Sequence, residues 1–206
     1  MANHEQLARR GQEIIKAAPQ LYFDVDVEAD GVPGYGSLLS VGAVSPWGET
    51  YYSELKPSSE RFIKSNREFC EAHNLERTRL MDEGRNPDEA MRELRDWVGD
   101  VTNTYEKNRP VFSAFNASFD FPWVDLAMRE AELKNPFGIA GYCIKSLANH
   151  LSRDYDWRKT AKGNLPAEIV PEGDFTHNAL EDAVYQQKIH NALVGKLKQG
   201  QELGIL

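Results

Sequence analysis

The segment over residues 21–28 alternates between two kinds of side chain, and this pattern constrains the fold more than any other. Its odd positions are apolar and its even positions are polar, three of them acidic: Leu21, Phe23, Val25 and Val27 against Tyr22, Asp24, Asp26 and Glu28. A period of two places the two sets on opposite faces of a β-strand. Glycines and a proline at residues 31–36 mark the turn that follows. The segment therefore predicts a strand that ends in acidic residues.

The rest of the chain predicts an α/β fold in which one mixed β-sheet is flanked by α-helices. Two more strands are predicted at residues 37–44 and 50–55, joined at Pro46-Trp47-Gly48, and a helical region follows them. Asn86 and Pro87 are typical of a helix start. The remaining elements are expected to be a strand at 110–115, helices at 119–133 and 143–151, a polar loop at 153–175, and a helix from about 177 to 197.

Length and composition fit one globular domain with a short extension. Of 206 residues, 41% are hydrophobic, which suits a single core. Residues 1–18 predict a polar helical extension, and residues 19–200 predict the main domain. This N-terminal segment lacks the apolar core of a signal peptide, and no stretch reaches the roughly 20 apolar residues of a membrane span. We therefore expect a cytoplasmic protein that makes no membrane contact.

The net charge of −8 bears on the choice of partner. Proteins that bind duplex nucleic acid through many phosphate contacts are usually basic, so the charge argues against tight non-specific duplex binding. It does not exclude a nuclease, because a cluster of metal-binding carboxylates adds negative charge where bound divalent ions offset it.

Asp26 and Glu28 lie two residues apart near the end of the predicted strand, so both carboxylates project from the same face. Ligands of open α/β sheets bind at this carboxyl edge. Two carboxylates this close repel each other unless a cation shares them, and hard oxygen ligands suit Mg²⁺ or Mn²⁺. Taken alone, the pair also fits a solvated strand face. An EF-hand loop does not fit, because its twelfth position would be Ser37 and a strand precedes it.

Two alternatives to a metal-dependent nuclease stay open at this point. Residues 23–27 resemble the first motif of haloacid-dehalogenase-type phosphatases, with Asp24 as nucleophile and Asp26 as acid/base. That family also needs a later acidic pair, which Gly173-Asp174 begins but which Glu181 is too distant to complete. The other alternative is a non-catalytic domain that binds nucleic acid.

Two further groups of residues stand at the entry of predicted helices. Asn116-Ala117-Ser118-Phe119-Asp120 joins a strand to a helix, and His177-Asn178-Ala179-Leu180-Glu181-Asp182 opens the last helix. An acid in the first turn of a helix is favoured by the helix dipole, so each group has a structural explanation when taken alone.

Together, the three groups resemble the motifs of the DEDD 3′–5′ exonucleases of the ribonuclease-H-like fold, a superfamily that includes proofreading subunits, oligoribonucleases and tRNA-trimming ribonucleases. The resemblance covers residues 21–197. One branch of the superfamily has Tyr four residues before the last Asp, where this chain has Asn178. The other has His five residues before it, which here is His177. The chain thus resembles the His branch, although Asp24 and Phe115 depart from the residues common in the family.

This resemblance implies a ribonuclease-H-like fold and a metal-dependent 3′–5′ exonuclease that uses two Mg²⁺ or Mn²⁺ ions. Asp26 would bridge the ions, Glu28 and Asp182 would complete the site of the attacking water, and Asp120 would serve the second ion. His177 would be the general base. The expected substrate is the 3′ end of single-stranded DNA or RNA, and the expected partner is a second copy of the chain or a polymerase.

Substrate contacts are predicted mainly in the polar loop. Basic and aromatic residues alternate there, a mixture that can hold a single strand by phosphate contact and base stacking. A solvated loop explains the same residues equally well. These residues are Arg153, Tyr155, Trp157, Arg158, Lys159 and Lys162. The named substrate contacts are Ala29, Asn116, Arg158 and Lys159.

Overall fold

A computed structural model describes residues 3–107, 109–152, 156–173 and 175–202. The described strands are β1 (Gln20–Ala29), β2 (Leu38–Val44), β3 (Thr50–Glu54), β4 (Arg109–Ala114) and β5 (Tyr142–Cys143). The described α-helices are α1 (His4–Ala17), α2 (Lys64–Ala72), α3 (Arg77–Glu83), α4 (Pro87–Thr104), α5 (Ala117–Glu130), α6 (Ile144–Ser152) and α7 (Ala179–Glu202). They confirm the predicted α/β fold with one mixed sheet. No helix in these ranges is long and apolar enough to cross a membrane.

The sheet has the strand order β3-β2-β1-β4-β5 and is centred on the acidic strand. β1 pairs antiparallel with β2 and parallel with β4, and its pairing with β4 ends at Asp24 and Ser113. Beyond that point the buried side chain of Gln186 joins the two strands, since its amide donates to the Val25 carbonyl and accepts from the Phe115 N–H. The strands therefore separate at their carboxyl ends and leave room for a cleft.

The alternation in β1 divides the interior into two layers. Leu21, Phe23, Val25 and Val27 are buried with residues of α4 and α5 in one core cluster. A second cluster joins residues of α1, α6 and α7, and α7 also supplies the partners of the acidic face of β1, such as His190 beside Asp24. The predicted strand pattern thus sorts the apolar residues to one side of the sheet and the acids to the other.

Several boundaries differ from the predicted ones. α5 covers 117–130 rather than 119–133, and α7 begins at Ala179 and continues to Glu202. The predicted helical region contains α2 and α3, and Cys143 belongs to the short strand β5 rather than to the next helix. The predicted polar loop contains a 3₁₀ turn at Lys162–Asn164, while residues 153–155 and 174 lie outside the described part.

The N-terminal helix packs closely against α7. Asn3 and Gln6 cap its first turn by exchanging side-chain and backbone hydrogen bonds. The two helices approach at Gly11 and Gly195, where an added Cβ would lie 1.7 Å from the Asn191 carbonyl oxygen and 2.0 Å from that of Leu7, respectively. The division into an extension over residues 1–18 and a domain over residues 19–200 stays a prediction.

A second close approach places the start of α7 on the sheet. A Cβ on Gly42 of β2 would lie 2.3 Å from the backbone of Ala179 and Leu180. Only glycine leaves this space, so Gly42 permits the first turn of α7 to contact β2. That turn carries Asp182 and begins two residues after His177.

We predict that Gly42→Ala lowers the melting temperature by about 5 °C or more, because overpacking against a rigid backbone typically costs ~1–3 kcal/mol. Thermal unfolding followed by circular dichroism measures the change. The matched control is Gly99→Ala in α4, where an added Cβ meets no atom within 4 Å and alanine favours the helix. A Gly42→Ala variant that melts at the wild-type temperature would contradict this packing.

Candidate active site

The acids of β1 lie on one face of the strand but have different surroundings. Asp24 is buried, accepts a hydrogen bond from the Ser113 hydroxyl at 2.9 Å, and lies 3.0 Å from Nδ1 of His190. Asp26 and Glu28 instead line a cleft at the carboxyl end of the strand. Asp24 does not line this cleft, so the geometry favours Asp26 and Glu28 as the acidic pair of the site.

Asp120 reaches the same cleft from the first turn of α5. It is buried, and its Oδ1 accepts a hydrogen bond from the backbone N–H of Val27, between Asp26 and Glu28, at 3.2 Å. The strand-to-helix turn after β4 thus brings the second predicted motif against the end of β1. Asn116, at the start of this turn, is exposed and also lines the cleft.

The third motif enters through the N-terminus of α7. Asn178 precedes the helix, and its side-chain oxygen accepts hydrogen bonds from the N–H groups of Leu180 and Glu181 at 3.0 and 3.2 Å. Asn178, which stands where the other branch of the superfamily has Tyr, therefore caps α7 in this chain. Asp182 is buried and accepts from the Thr176 N–H at 3.1 Å, which fixes the backbone next to His177.

His177 stands just before α7 with a left-handed backbone, φ 57°. Its Nδ1 lies 3.9 Å from Oε1 of Glu28, and ligand atoms of His177, Glu28 and Asp182 all lie within 4.8 Å of one another. On its other side the imidazole ring contacts the rings of Phe69 and His73, with centroids 4.6 and 4.4 Å away. This aromatic contact was not predicted from the sequence, because α2 carries no motif that links it to His177.

The cleft has a volume of about 530 Å³. It brings together all five predicted catalytic residues, Asp26, Glu28, Asp120, His177 and Asp182, with Asn116. Other side chains that line it are Phe115, Phe119, Lys145, Lys162 and Phe175. Of these, only Lys162 was named from the sequence as a candidate substrate contact. Lys145 and Phe175 lie in segments without a recognisable motif, and Phe119 was expected in the core.

The other predicted substrate contacts lie outside this lining. Ala29 is buried in the core below the cleft. Arg158 and Lys159 are exposed, and Lys159 forms an ion pair with Asp156 at 3.4 Å. Their roles in substrate binding stay predictions. Arg153 and Tyr155, also named from the sequence, lie outside the described residues, as does Asp174 of the phosphatase alternative.

Burial and mutual repulsion govern the charges of the site. Burial, partly offset by Lys162 and reinforced by Asp182, raises the pKa of Asp26 to about 6. Burial, and then repulsion from Asp26, raises the pKa of Glu28 to about 8. Burial also raises the pKa of Asp120, and Asp26 adds to that effect. For His177, burial and the neighbouring His73 lower the pKa.

These carboxylates fit a divalent cation. Hard oxygen donors crowded in a buried position are the ligand set that Mg²⁺ and Mn²⁺ prefer. The raised pKa values of Asp26 and Glu28 express the cost of holding the acids ionised without such an ion. The structure therefore carries an electrostatic strain that a divalent cation would relieve.

We predict that Glu28→Gln stabilises the metal-free protein at pH 8. The folded pKa of Glu28, about 8, exceeds its ordinary value of 4.5. The folded state therefore loses stability as the pH rises from about 4.5 to 8, and glutamine removes that loss. We expect the melting temperature in chelator to rise by about 5 °C at pH 8 and to change little at pH 4.5.

Melting curves with and without Mn²⁺ check this prediction. Mn²⁺ should raise the melting temperature of the wild type more than that of Glu28→Gln. Glu181→Gln is the control, because Glu181 is an exposed acid in the same turn as Asp182 and its neutralisation should not stabilise the metal-free protein. A destabilised Glu28→Gln variant in chelator at pH 8 would contradict the proposed strain.

Comparison with known proteins agrees with this geometry. The sequence model of the Rv2179c-like 3′–5′ exoribonuclease domain matches residues 22–194. The 3′–5′ DNA exonuclease Cap18 of Escherichia coli is 34% identical over 187 residues, which is 89% of this chain and 96% of that protein.

Solved structures show the same fold. The nuclease domain of 3′hExo, a DEDDh family member bound to rAMP, superposes with a TM-score of 0.63 at 12% identity, covering 87% of this chain and 92% of that chain. The Pop2p structure of S. pombe with Mg²⁺ and Mn²⁺ bound gives a TM-score of 0.59 at 10% identity, covering 96% and 91%. The ribonuclease-H-like fold predicted from the sequence is thereby confirmed.

These findings do not favour the phosphatase or the non-catalytic alternative. The aspartate that a phosphatase would use as nucleophile, Asp24, is engaged by Ser113 and His190. The predicted resemblance and the predicted activity are both confirmed. The chain belongs to the Rv2179c-like family of 3′–5′ exoribonuclease domains and is a metal-dependent 3′–5′ exonuclease.

Proposed function

We propose that this exonuclease removes nucleotides from the 3′ end of single-stranded nucleic acid with two Mg²⁺ or Mn²⁺ ions held by Asp26, Glu28, Asp120 and Asp182. The observation that carries the proposal is the convergence of these four carboxylates and His177 on one cleft. The Pop2p structure of S. pombe is a form with Mg²⁺ and Mn²⁺ bound, which supports the choice of ions.

Each carboxylate has a proposed part in holding the ions. Asp26 interacts electrostatically with each of the other three carboxylates, and we propose that it would contribute to holding both ions. Glu28 and Asp182 lie together on the His177 side. Asp120 lies against the backbone of Val27 and serves the second ion. When bound, paired divalent ions stabilise the attacking and leaving oxygens of phosphodiester hydrolysis.

His177 is proposed to take the proton from the attacking water. Burial and His73 lower its pKa, so the imidazole is neutral near pH 7 and its free nitrogen can accept a proton. It lies before α7, next to Glu28 and Asp182, and this position beside the carboxylates supports the proposed role. Asp182 fixes the neighbouring backbone through Thr176 and so orients the segment that carries the base.

The chemical class of the substrate follows from the relatives and from the shape of the site. The matching family is one of exoribonuclease domains, and the E. coli relative is named a DNA exonuclease, so both nucleic acids are candidate substrates. A cleft with Phe119, Phe175 and two lysines in its lining suits a flexible single strand, since rings accept stacked bases and ammonium groups contact phosphates. Cytoplasmic location and a homodimer or polymerase partner stay predictions.

Matched single-stranded DNA and RNA oligonucleotides with a 5′ label test the function. With Mn²⁺, shortening from the 3′ end in a ladder is expected, and chelator should abolish it. Asp26→Asn serves as the inactive variant. Release of phosphate from a phosphomonoester without any ladder would contradict the exonuclease, and a ladder on only one of the two oligonucleotides would identify the substrate.

We predict that His177→Ala lowers the turnover number at least ~100-fold, because a positioned general base contributes about 10²–10⁴ to the rate. The variant should still fold and bind Mn²⁺, since the carboxylates remain. Single-turnover cleavage at saturating enzyme measures the rate of the chemical step, and calorimetric titration with Mn²⁺ measures binding. Unchanged turnover would remove His177 from the role of base.

A further inference from the structure

Lys162 lies inside the carboxylate cleft. Its Nζ is 3.4 Å from Oδ1 of Asp26, and both side chains are largely buried, with exposed fractions of 20% and 13%. No other Lys or Arg within the described ranges forms an ion pair with any of the four site carboxylates. A single ammonium group therefore balances part of the negative charge where the divalent ions are expected.

The surroundings of this lysine anchor the segment that carries it and offer its ammonium group a second contact besides Asp26. Thr160, two residues earlier, is buried and accepts a hydrogen bond from Asn149 of α6 at 2.9 Å. The ammonium lies 4.2 Å from the centre of the Phe175 ring and 5.8 Å from that of Phe115. Because the stem of lysine is flexible, the ammonium can leave Asp26 while remaining over an aromatic ring.

A divalent ion held by Asp26 would repel this ammonium. Like charges a few ångströms apart in a buried site repel strongly, and the divalent ion carries twice the charge. The bound 3′ end then brings a phosphate into the cleft, and a lysine ammonium is a common phosphate ligand. The displaced group thus has a new partner within the same cleft.

We propose that Lys162 is an internal counterion that divalent metal displaces from Asp26 and that then binds the phosphate of the 3′-terminal nucleotide. The inference rests on the proposed metal site and deepens it, because it gives a residue outside the three motifs the role of phosphate ligand. It has two consequences of opposite sign. Removing the ammonium group favours metal binding and disfavours phosphate binding.

Calorimetric titration of the whole protein with Mn²⁺, without nucleic acid, tests the first consequence. Lys162→Gln should bind Mn²⁺ about tenfold more tightly than the wild type, whereas Lys162→Arg, which keeps the charge, should resemble the wild type. Equal or weaker Mn²⁺ binding by Lys162→Gln would overturn the displacement.

Adenosine 5′-monophosphate, titrated at saturating Mn²⁺, tests the second consequence. Lys162→Gln should bind it about tenfold more weakly, and unchanged affinity would overturn the phosphate contact. The control is Lys196→Gln, because Lys196 of α7 pairs with Glu168 at 2.9 Å and does not line the cleft. The affinities of this control variant for Mn²⁺ and for adenosine 5′-monophosphate should both remain within twofold of those of the wild type.

The two proposals fail in different ways. A wild-type protein that gives no Mn²⁺-dependent ladder contradicts the proposed function. A wild-type protein that gives the ladder, with a Lys162→Gln variant whose Mn²⁺ and nucleotide affinities are those of the wild type, contradicts only the role of Lys162. A merely structural lysine would weaken both affinities together, so the opposite signs are the diagnostic result.

Discussion

The packing of α7 against the acidic face of β1 is the contact on which the active site depends. Asp182, Gln186 and His190 follow one another at steps of four residues, so they form one stripe along the helix. Their partners on the strand run in the opposite direction: Asp182 lies by Glu28, Gln186 binds the Val25 carbonyl, and His190 meets Asp24. Eight helical residues span roughly 12 Å and four strand residues roughly 13 Å, so the two rows match in length.

This matching separates the acid of β1 that is paired within the fold from the two acids that line the cleft. Asp24, at the inner end, is buried with His190 and Ser113 as hydrogen-bonding partners, which satisfies its carboxylate. Asp26 and Glu28 lie nearer the open edge, where burial and then the neighbouring acid Asp182 raise the pKa of both, and Asp26 further raises that of Glu28. Gln186 marks the boundary, because it joins β1 to the chain after β4 where the strands separate. Of the acids of β1, only Asp26 and Glu28 lie beyond this boundary, where a cation can bind them.

The sequence predicted the site better than it predicted the contacts that support it. The resemblance of three short motifs to the DEDD exonucleases predicted Asp26, Asp120 and Asp182, and the structure brings all three to one cleft. The roles of Gln186 and His190 were not predicted, since polar residues in a helix usually indicate a solvated face. The contact of Phe69 and His73 with His177, and that of Lys162 with Asp26, join segments distant in sequence. No local pattern encodes such contacts, and the partners of Asp24, which are Ser113 and His190, likewise emerge only in the fold.

The charge of the cleft also implies an order of binding. Asp26, Glu28, Asp120 and Asp182 face the cleft with Lys162 as their close cationic partner among the described residues, and the chain as a whole carries −8. A nucleic acid phosphate approaching these acids without divalent ions would be repelled. Bound cations would reverse the sign of the local field and, in the proposed scheme, release Lys162 for the phosphate. The proposal therefore has metal binding precede productive substrate binding, because the same negative charge that repels nucleic acid attracts the ions to the cleft.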